Sequence, residues 1–422
     1  MMENKPITIK SNVIFNAAGN FFYVLSQWLI VIIATRQIGF VAGGELSLSI
    51  LIGNLFFLSA SFNSRGYQVS DIEGKYSNSN YIAFRIVTCA LSFTILILIM
   101  FFSNCSINQK HIIIAFVLFK TIEAIIEVFH GIFQKAWRMD IIFYSLFLRA
   151  ICVIFCFYFA IKFTNSLLLG IFTMIVTTLI VCFFVDFRFA ISHFKIKPKI
   201  DYSILNSISK NILPIFLNLL FVTIASYIPR LYLEAHYGSD ILGIFSSMTM
   251  PAMIIQVSAG FVLMPLYTMF ANDFHNKEAR KLINTLIKCI IAIVSISILA
   301  IIVAYFLGDI GLKILYGDKI LRYNYLLNPM IMTSILNTIQ ALTSMLNVVM
   351  RNNKAVIFSG VIGLIMVLIL APNMIKGEPN VAMMGTNSAT ILTLIIQILI
   401  SAIFVFIDIR KMSTIKNNNV EV

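Results

Sequence analysis

Long stretches without a single Asp, Glu, Lys or Arg recur along the whole chain: Ile86 to Gln109, Phe163 to Val185, Ile241 to Asn272, Tyr323 to Met350 and Val381 to Ile407. Each is long enough as a helix to cross about 30 Å of hydrocarbon. The runs are continuously apolar and do not alternate over short segments, which argues against an outer-membrane barrel. With 59% hydrophobic and 12% charged residues and a mean hydropathy of +0.94, the chain has the composition of a polytopic membrane protein.

Twelve spans are expected, at roughly 11–35, 45–64, 81–103, 111–133, 142–163, 167–190, 211–233, 241–265, 282–307, 326–350, 354–375 and 384–408. An even number places both termini on one side. The net charge of +13 would suggest nucleic-acid binding in a soluble protein. Here the Lys and Arg residues concentrate in the connections that share a side with the N-terminus, which is the positive-inside pattern. Both ends are therefore expected in the cytoplasm, with no nucleic-acid partner. The first span is too long for a signal-peptide core and has no convincing cleavage site, so it is expected to be retained. Five of the six cysteines, Cys89, Cys152, Cys156, Cys182 and Cys289, fall inside spans and Cys105 in an outer loop, so neither a disulfide framework nor a metal site is expected.

The widest basic linker, Asp186 to Ser203, divides the chain into two halves of six spans, expected as lobes 1–200 and 201–422. Arg36 precedes Gly44 by the same interval as Arg230 precedes Gly238. In each half the Arg is read as closing the first span and the Gly as opening the second, in line with a parallel repeat. Pro214, Pro229, Pro251, Pro265 and Pro329 fall in or at the ends of second-half spans and predict bends.

Polar residues inside the spans are arranged in stripes. Lys120, Glu123, Glu127, His130 and Gln134 share an arc of about 80° on a helix. A charge near the bilayer centre costs at least about 2.5 kcal/mol, so this face should point to a protein interior or a water-filled cavity. Lys120 with Glu123, and Glu127 with His130, are also i,i+3 neighbours able to neutralise one another. Asn12, Asn16, Asn20, Tyr23 and Gln27 form a neutral stripe on the first span, and Asn337, Gln340, Ser344 and Asn347 another on the tenth. Arg85, Arg149 and Lys288 lie close enough to a span end to snorkel. Arg36 and Arg230 sit at outer ends, against the positive-inside bias, where guanidinium groups are well shaped to hold a phosphate. The chain has no nucleotide-binding P-loop, H-E-x-x-H site or G-x-S-x-G elbow, so neither ATP hydrolysis nor a catalytic residue is expected.

Three segments carry a family resemblance: RGYQVSD (65–71), QKAWRMDIIFYSLFLRA (134–150) and YIPRLYLEAHYGSDILGIFS (227–246). Together with twelve spans in two halves they resemble the Wzx-type flippases of the polysaccharide-exporter branch of the MOP superfamily. The resemblance implies an all-α, MATE-like fold with two six-helix lobes related by a parallel pseudo-twofold around a central cavity. It also implies a bacterial inner-membrane transporter that uses no cofactor and flips undecaprenyl-pyrophosphate-linked oligosaccharide, an O-antigen or related repeat unit, to the periplasmic face. Its expected partners are membrane lipids, a polysaccharide polymerase, a chain-length regulator and a proton or cation as coupling ion. On that basis Arg36, Lys120 and Arg230 would attract the pyrophosphate, and Asn16, Asn20, Gln27, Asn337, Gln340 and Asn347 would line the sugar path. Glu123, Glu127 and His130 would serve coupling or gating. The alternatives are a drug or organic-cation exporter of the same superfamily, which should favour acidic and aromatic walls, and a membrane-embedded O-antigen polymerase, which should carry a large outer loop.

Overall fold

The structure is a computed structural model that describes residues 8–71, 74–194 and 200–418; the N-terminal MMENKPI and the KIKPK of the linker lie outside the described residues. It is helical, with no strand among the described residues. The first unit contains α1 (Ile9–Gln37), α2 (Phe40–Ser61), the short α3 (Ser64–Ser70), α4 (Asn78–Phe102), α5 (Ile107–Lys135), α6 (Met139–Thr164) and α7 (Leu167–Val181). A π-helical segment, Cys182–Phe187, joins α7 to α8 (Arg188–His193). Beyond these come α9 (Tyr202–His275), α10 (Ala279–Tyr316), a 3-10 segment (Asp318–Leu326), α11 (Leu327–Val349), α12 (Asn353–Met374) and α13 (Pro379–Asn418).

Starts of several helices are fixed by side-chain caps that absorb otherwise unpaired N–H groups. Thr8, Ser77, Ser106, Ser166 and Asn352 accept from the backbone N–H of Ser11, Asn80, Gln109, Leu169 and Ala355 respectively. Nine stretches among the described residues are long and apolar enough to cross a membrane. Helices α5 and α11 match them in length, at 29 and 23 residues, but carry polar stripes. The 74-residue α9 supplies two spans by breaking at Gly238, whose φ of 83° suits glycine. That break, and not any proline, is the one non-helical position inside α9.

The chain divides into two compact units, residues 1–216 and 217–422, so the division falls inside α9. In the first, α1 packs on α6, α2 on α5, and α4 on both α2 and α5. Helix α5 also meets α3, α6, α7 and the π segment. It is therefore the central helix of its lobe, with Phe116, Phe119 and Phe133 fully buried. In the second unit α13 packs on α11 and α12, and α10 on α11.

The expected Arg–Gly repeat does not mark equivalent positions. Helix α2 opens at Phe40 behind Gly39, whose φ is 126°, and Gly44 is buried within that helix. In the second half Gly238 itself is the break.

Candidate functional site

The polar face of α5 is buried inside the first lobe, where each of its groups finds a partner on another element. From Lys120 to Gln134 it rises about 21 Å. At one end, Tyr23 of α1 donates to Glu123 Oε2 at 2.6 Å and Lys120 Nζ donates to the same oxygen at 2.9 Å. Lys120 also donates to the Tyr23 hydroxyl at 3.0 Å and to Gln27 Oε1 at 3.5 Å. Arg149 of α6 closes the set, with Nη1 3.3 Å from Glu123 Oε1. Lys120, Glu123 and Arg149 are 5%, 6% and 4% exposed. The adjoining crevice, lined by Tyr23, Gln27, Glu123, Arg149 and Thr178, is too narrow for a water molecule. Two buried cations thus share one buried carboxylate.

One turn on, Arg85 of α4 donates through Nη1 to Glu127 Oε2 and to the Ala124 carbonyl, both at 3.0 Å, and through Nη2 to Ser64 Oγ at 2.9 Å. The Glu127 side chain is 23% exposed while its arginine is fully buried. His130 Nε2 lies 3.1 Å from Asp186 Oδ1 and 3.3 Å from Ser145 Oγ, and that hydroxyl donates to Asp186 Oδ2 at 2.8 Å. At the far end Arg65 of α3 donates to Gln134 Oε1 at 3.0 Å. Among the described residues, the buried Nε groups of Arg85 and Arg149 have no acceptor.

Of the two i,i+3 pairings expected on α5, Lys120 with Glu123 forms. Glu127 and His130 do not pair; they turn to Arg85 and Asp186, because the helices packed around α5 supply better-placed opposite charges. Of the two environments expected for this face, the structure shows a protein interior for Lys120, Glu123 and His130, with α4, α6, α7 and the π segment packed on α5, while Glu127 keeps partial exposure. The Asn12 side chain accepts from the Met139 backbone N–H at 3.0 Å and so caps α6. Asn16 is half-buried and bonds to Asn20, which is exposed.

The second lobe carries a neutral seam. Gln256 donates to Ser334, Thr333 donates to Asn387 Oδ1 at 2.7 Å, Gln340 to Ser344, and Asn347 to the Ser401 carbonyl. Gln340 and Asn347 are buried, and Asn337 is half-buried. Arg230 is half-buried with its guanidinium 6.0 Å from the Phe245 ring centre, and no carboxylate pairs with it among the described residues. Arg36 and Lys288 are exposed. No group of His, Cys, Asp and Glu able to hold a metal occurs among the described residues.

Sequence reasoning missed Asp186, read there as the start of the basic linker. It is fully buried, and its signal was an acid within the aromatic run CFFVDF. Nothing in the sequence alone gives Arg65 or Tyr23 a role; the structure joins Arg65 to Gln134 and Tyr23 to Glu123 and Lys120.

This architecture defines a multi-pass, all-helical membrane protein. Its fold is similar to an inward-facing MATE family multidrug resistance transporter of the MOP superfamily, at a TM-score of 0.74 and 12% identity over 92% of this chain and 95% of that one. It is similar as well to an outward-facing transporter of the same kind, at a TM-score of 0.65 and 14% identity over 95% of each chain. A MOP superfamily transporter from Pyrococcus furiosus, described as having a binding pocket of reverse polarity, matches at 0.60 with 14% identity over 94% of each. In sequence the chain is 24% identical over 314 residues to the capsular polysaccharide biosynthesis protein CapF of Staphylococcus aureus, covering 73% of this chain and 77% of that protein. No family model matches.

Proposed function

We propose that the protein is a flippase for an undecaprenyl-pyrophosphate-linked oligosaccharide, an O-antigen or related surface-polysaccharide repeat unit, moving it outward across the bacterial inner membrane by alternating access. Both termini then lie in the cytoplasm, and a polymerase with its chain-length regulator takes the product. The observation that carries this reading is the likeness to a capsular polysaccharide biosynthesis protein over about three quarters of both chains, on a fold shared with inward- and outward-facing transporters.

Such a substrate needs cations for its phosphates and hydrogen-bonding groups for its sugars, while its tail stays in lipid. In the second lobe Arg230 is an intramembrane guanidinium with no carboxylate partner among the described residues, and it suits a phosphate. In the first, Arg36 is an exposed guanidinium. Asn16, Asn20 and Gln27 in one lobe and Asn337 in the other remain accessible to sugar hydroxyls. Glu123, Glu127 and His130 serve gating through their ion pairs, with Glu127 the most accessible of them. A drug exporter finds less support, because the buried acids of the first lobe are already matched by Lys120, Arg149 and Arg85.

Deletion of the gene tests the reading. Single lipid-linked repeat units should accumulate on the cytoplasmic face, protected from an impermeant sugar-oxidising reagent until the cells are opened. Units that remain reachable from outside would refute flipping and point to polymerisation. Arg230→Gln should lower export several-fold at normal protein level.

A further inference from the structure

The ammonium of Lys120 occupies a cage. Its three N–H bonds meet three oxygens, Glu123 Oε2 at 2.9 Å, the Tyr23 hydroxyl at 3.0 Å and Gln27 Oε1 at 3.5 Å. Two phenyl rings flank the same nitrogen, with the centroids of Phe119 and Phe116 at 5.3 and 5.7 Å, while Tyr23 meets it with its hydroxyl end. Oxygen acceptors and aromatic faces gathered round one compact charge are the recognition chemistry of a free ammonium ion. A plain ion pair needs the carboxylate alone. The stem of Lys120 reaches the cage past Gly53, where an added Cβ would stand 3.2 Å from Lys120 Cγ and 2.6 Å from a Phe116 ring carbon. The missing side chain on α2 therefore makes the room that the lysine uses.

From this geometry we infer that the Tyr23–Gln27–Glu123 cage is a binding site for an ammonium-type monovalent cation, and that the chain fills it with its own Lys120. The site is closed to ions from solution while the lysine is present and opens to them when the lysine is shortened. For a transporter, which is the reading this consequence rests on, Glu123 then holds a tethered cation and does not exchange one with solution. Both of its oxygens are engaged, by Tyr23 and Lys120 on one and Arg149 on the other. Glu127 differs: one oxygen pairs with Arg85, and the other has no bond among the described residues. Ion exchange in the first lobe falls to Glu127.

The test is thermal unfolding of the purified full-length protein in detergent, with ammonium, methylammonium or sodium chloride at matched ionic strength. For Lys120→Ala, ammonium and methylammonium should raise the Tm saturably, by about 3 °C when the ion stands ten-fold above its dissociation constant, and sodium should not. The unsubstituted protein and the Lys120→Ala/Glu123→Gln variant should show no difference between the salts. Equal responses of Lys120→Ala to ammonium and sodium, or a specific ammonium response of the unsubstituted protein, overturn the inference. Should Lys120→Ala fail to accumulate in cells, ammonium in the growth medium should raise its yield several-fold, and no rise is equally fatal. Because unfolding is measured and not export, failure here leaves the flippase reading standing, and failure of that reading leaves the cage standing.

Discussion

Removing the charge of Glu123 should destabilise the first lobe far more than removing either of its cationic partners. The carboxylate stands 2.9 Å from Lys120 and 3.3 Å from Arg149. At an effective dielectric of about 20, each attraction is worth about 5–6 kcal/mol before desolvation is counted. Glu123→Gln leaves two buried cations facing each other with no counter-charge, which places its cost near the upper end of the about 3–5 kcal/mol found when a buried pair is broken. Lys120→Met or Arg149→Met leaves a neutral pair and relieves an excess positive charge, so each should cost only about 1–3 kcal/mol. In a lobe of this size the first loss corresponds to a fall in Tm of about 10–15 °C, measurable by thermal unfolding in detergent. The double variant Lys120→Met/Glu123→Gln should recover part of the single Glu123→Gln loss, because only Arg149 is then left uncompensated. If Glu123→Gln costs no more than Lys120→Met, or if the double variant is worse than the sum of the two, the two-cations-on-one-acid account is wrong.

Other positions give sharper local tests. An added Cβ at Gly385 would stand 2.0 Å from the Met374 carbonyl oxygen, a backbone atom that cannot swing away; Gly385→Ala should lower stability by about 1–3 kcal/mol in the same unfolding assay. Asp186→Ala strands His130 and Ser145 without their shared acceptor and should cost about 1–3 kcal/mol, while the exposed Lys288→Ala should lie within about 0.5 kcal/mol of the parent. Asp71, in the α3–α4 connection, feels opposing effects. Partial burial pushes its carboxyl up, but the N–H groups of Tyr76 and Lys75, the Tyr81 hydroxyl and the Lys135 ammonium together hold it below its ordinary value. A depressed acid stabilises above the unfolded pKa of about 3.9, and that contribution disappears as pH falls through the folded value. The contribution of Asp71 should therefore be constant above about pH 5 and disappear below about pH 4, so the acid-side loss of stability should be shallower in Asp71→Asn than in the parent.

The polar arc of α5 was legible because helical geometry fixes angles from spacing alone, and a shared arc of charge cannot face lipid. Where the arc points was not legible. An arc avoiding lipid is satisfied equally by a wet path and by a packed interior, and the choice depends on partners far away in sequence. Tyr23 reaches Glu123 across 100 positions and Asp186 reaches His130 across 56. The same limit explains Asp186 itself: its burial depends on a π-helical stretch that turns one residue inward at the end of α7, which hydropathy does not register. Gly44 misled for a related reason. A glycine inside a close-packed helix and a glycine at a chain reversal read alike in sequence, and only the positive φ of Gly39 separates them.

The two lobes meet the cost of polar groups in hydrocarbon by different chemistry, and the difference bears on which lobe can respond to an ion. The seam of the second lobe joins hydroxyls and amides, such as Thr333 to Asn387 and Asn347 to the Ser401 carbonyl. Such groups can change partners by a rotamer change at modest cost. The first lobe joins full charges in fixed pairs, where a lost partner leaves a penalty several times larger. A change of charge is therefore felt strongly in the first lobe and weakly in the second seam. Within the first lobe the response is graded again by saturation: Glu123 has three donors on its two oxygens, whereas Glu127 has one donor and the greater exposure. A proton or cation arriving from solution must displace Lys120 or Arg149 to reach the former but can add to the open oxygen of the latter. Glu127→Gln should accordingly abolish any dependence of export on an ion gradient while Glu123→Gln acts mainly through stability, and loss of that dependence in Glu123→Gln alone, at restored protein level, would reverse the assignment.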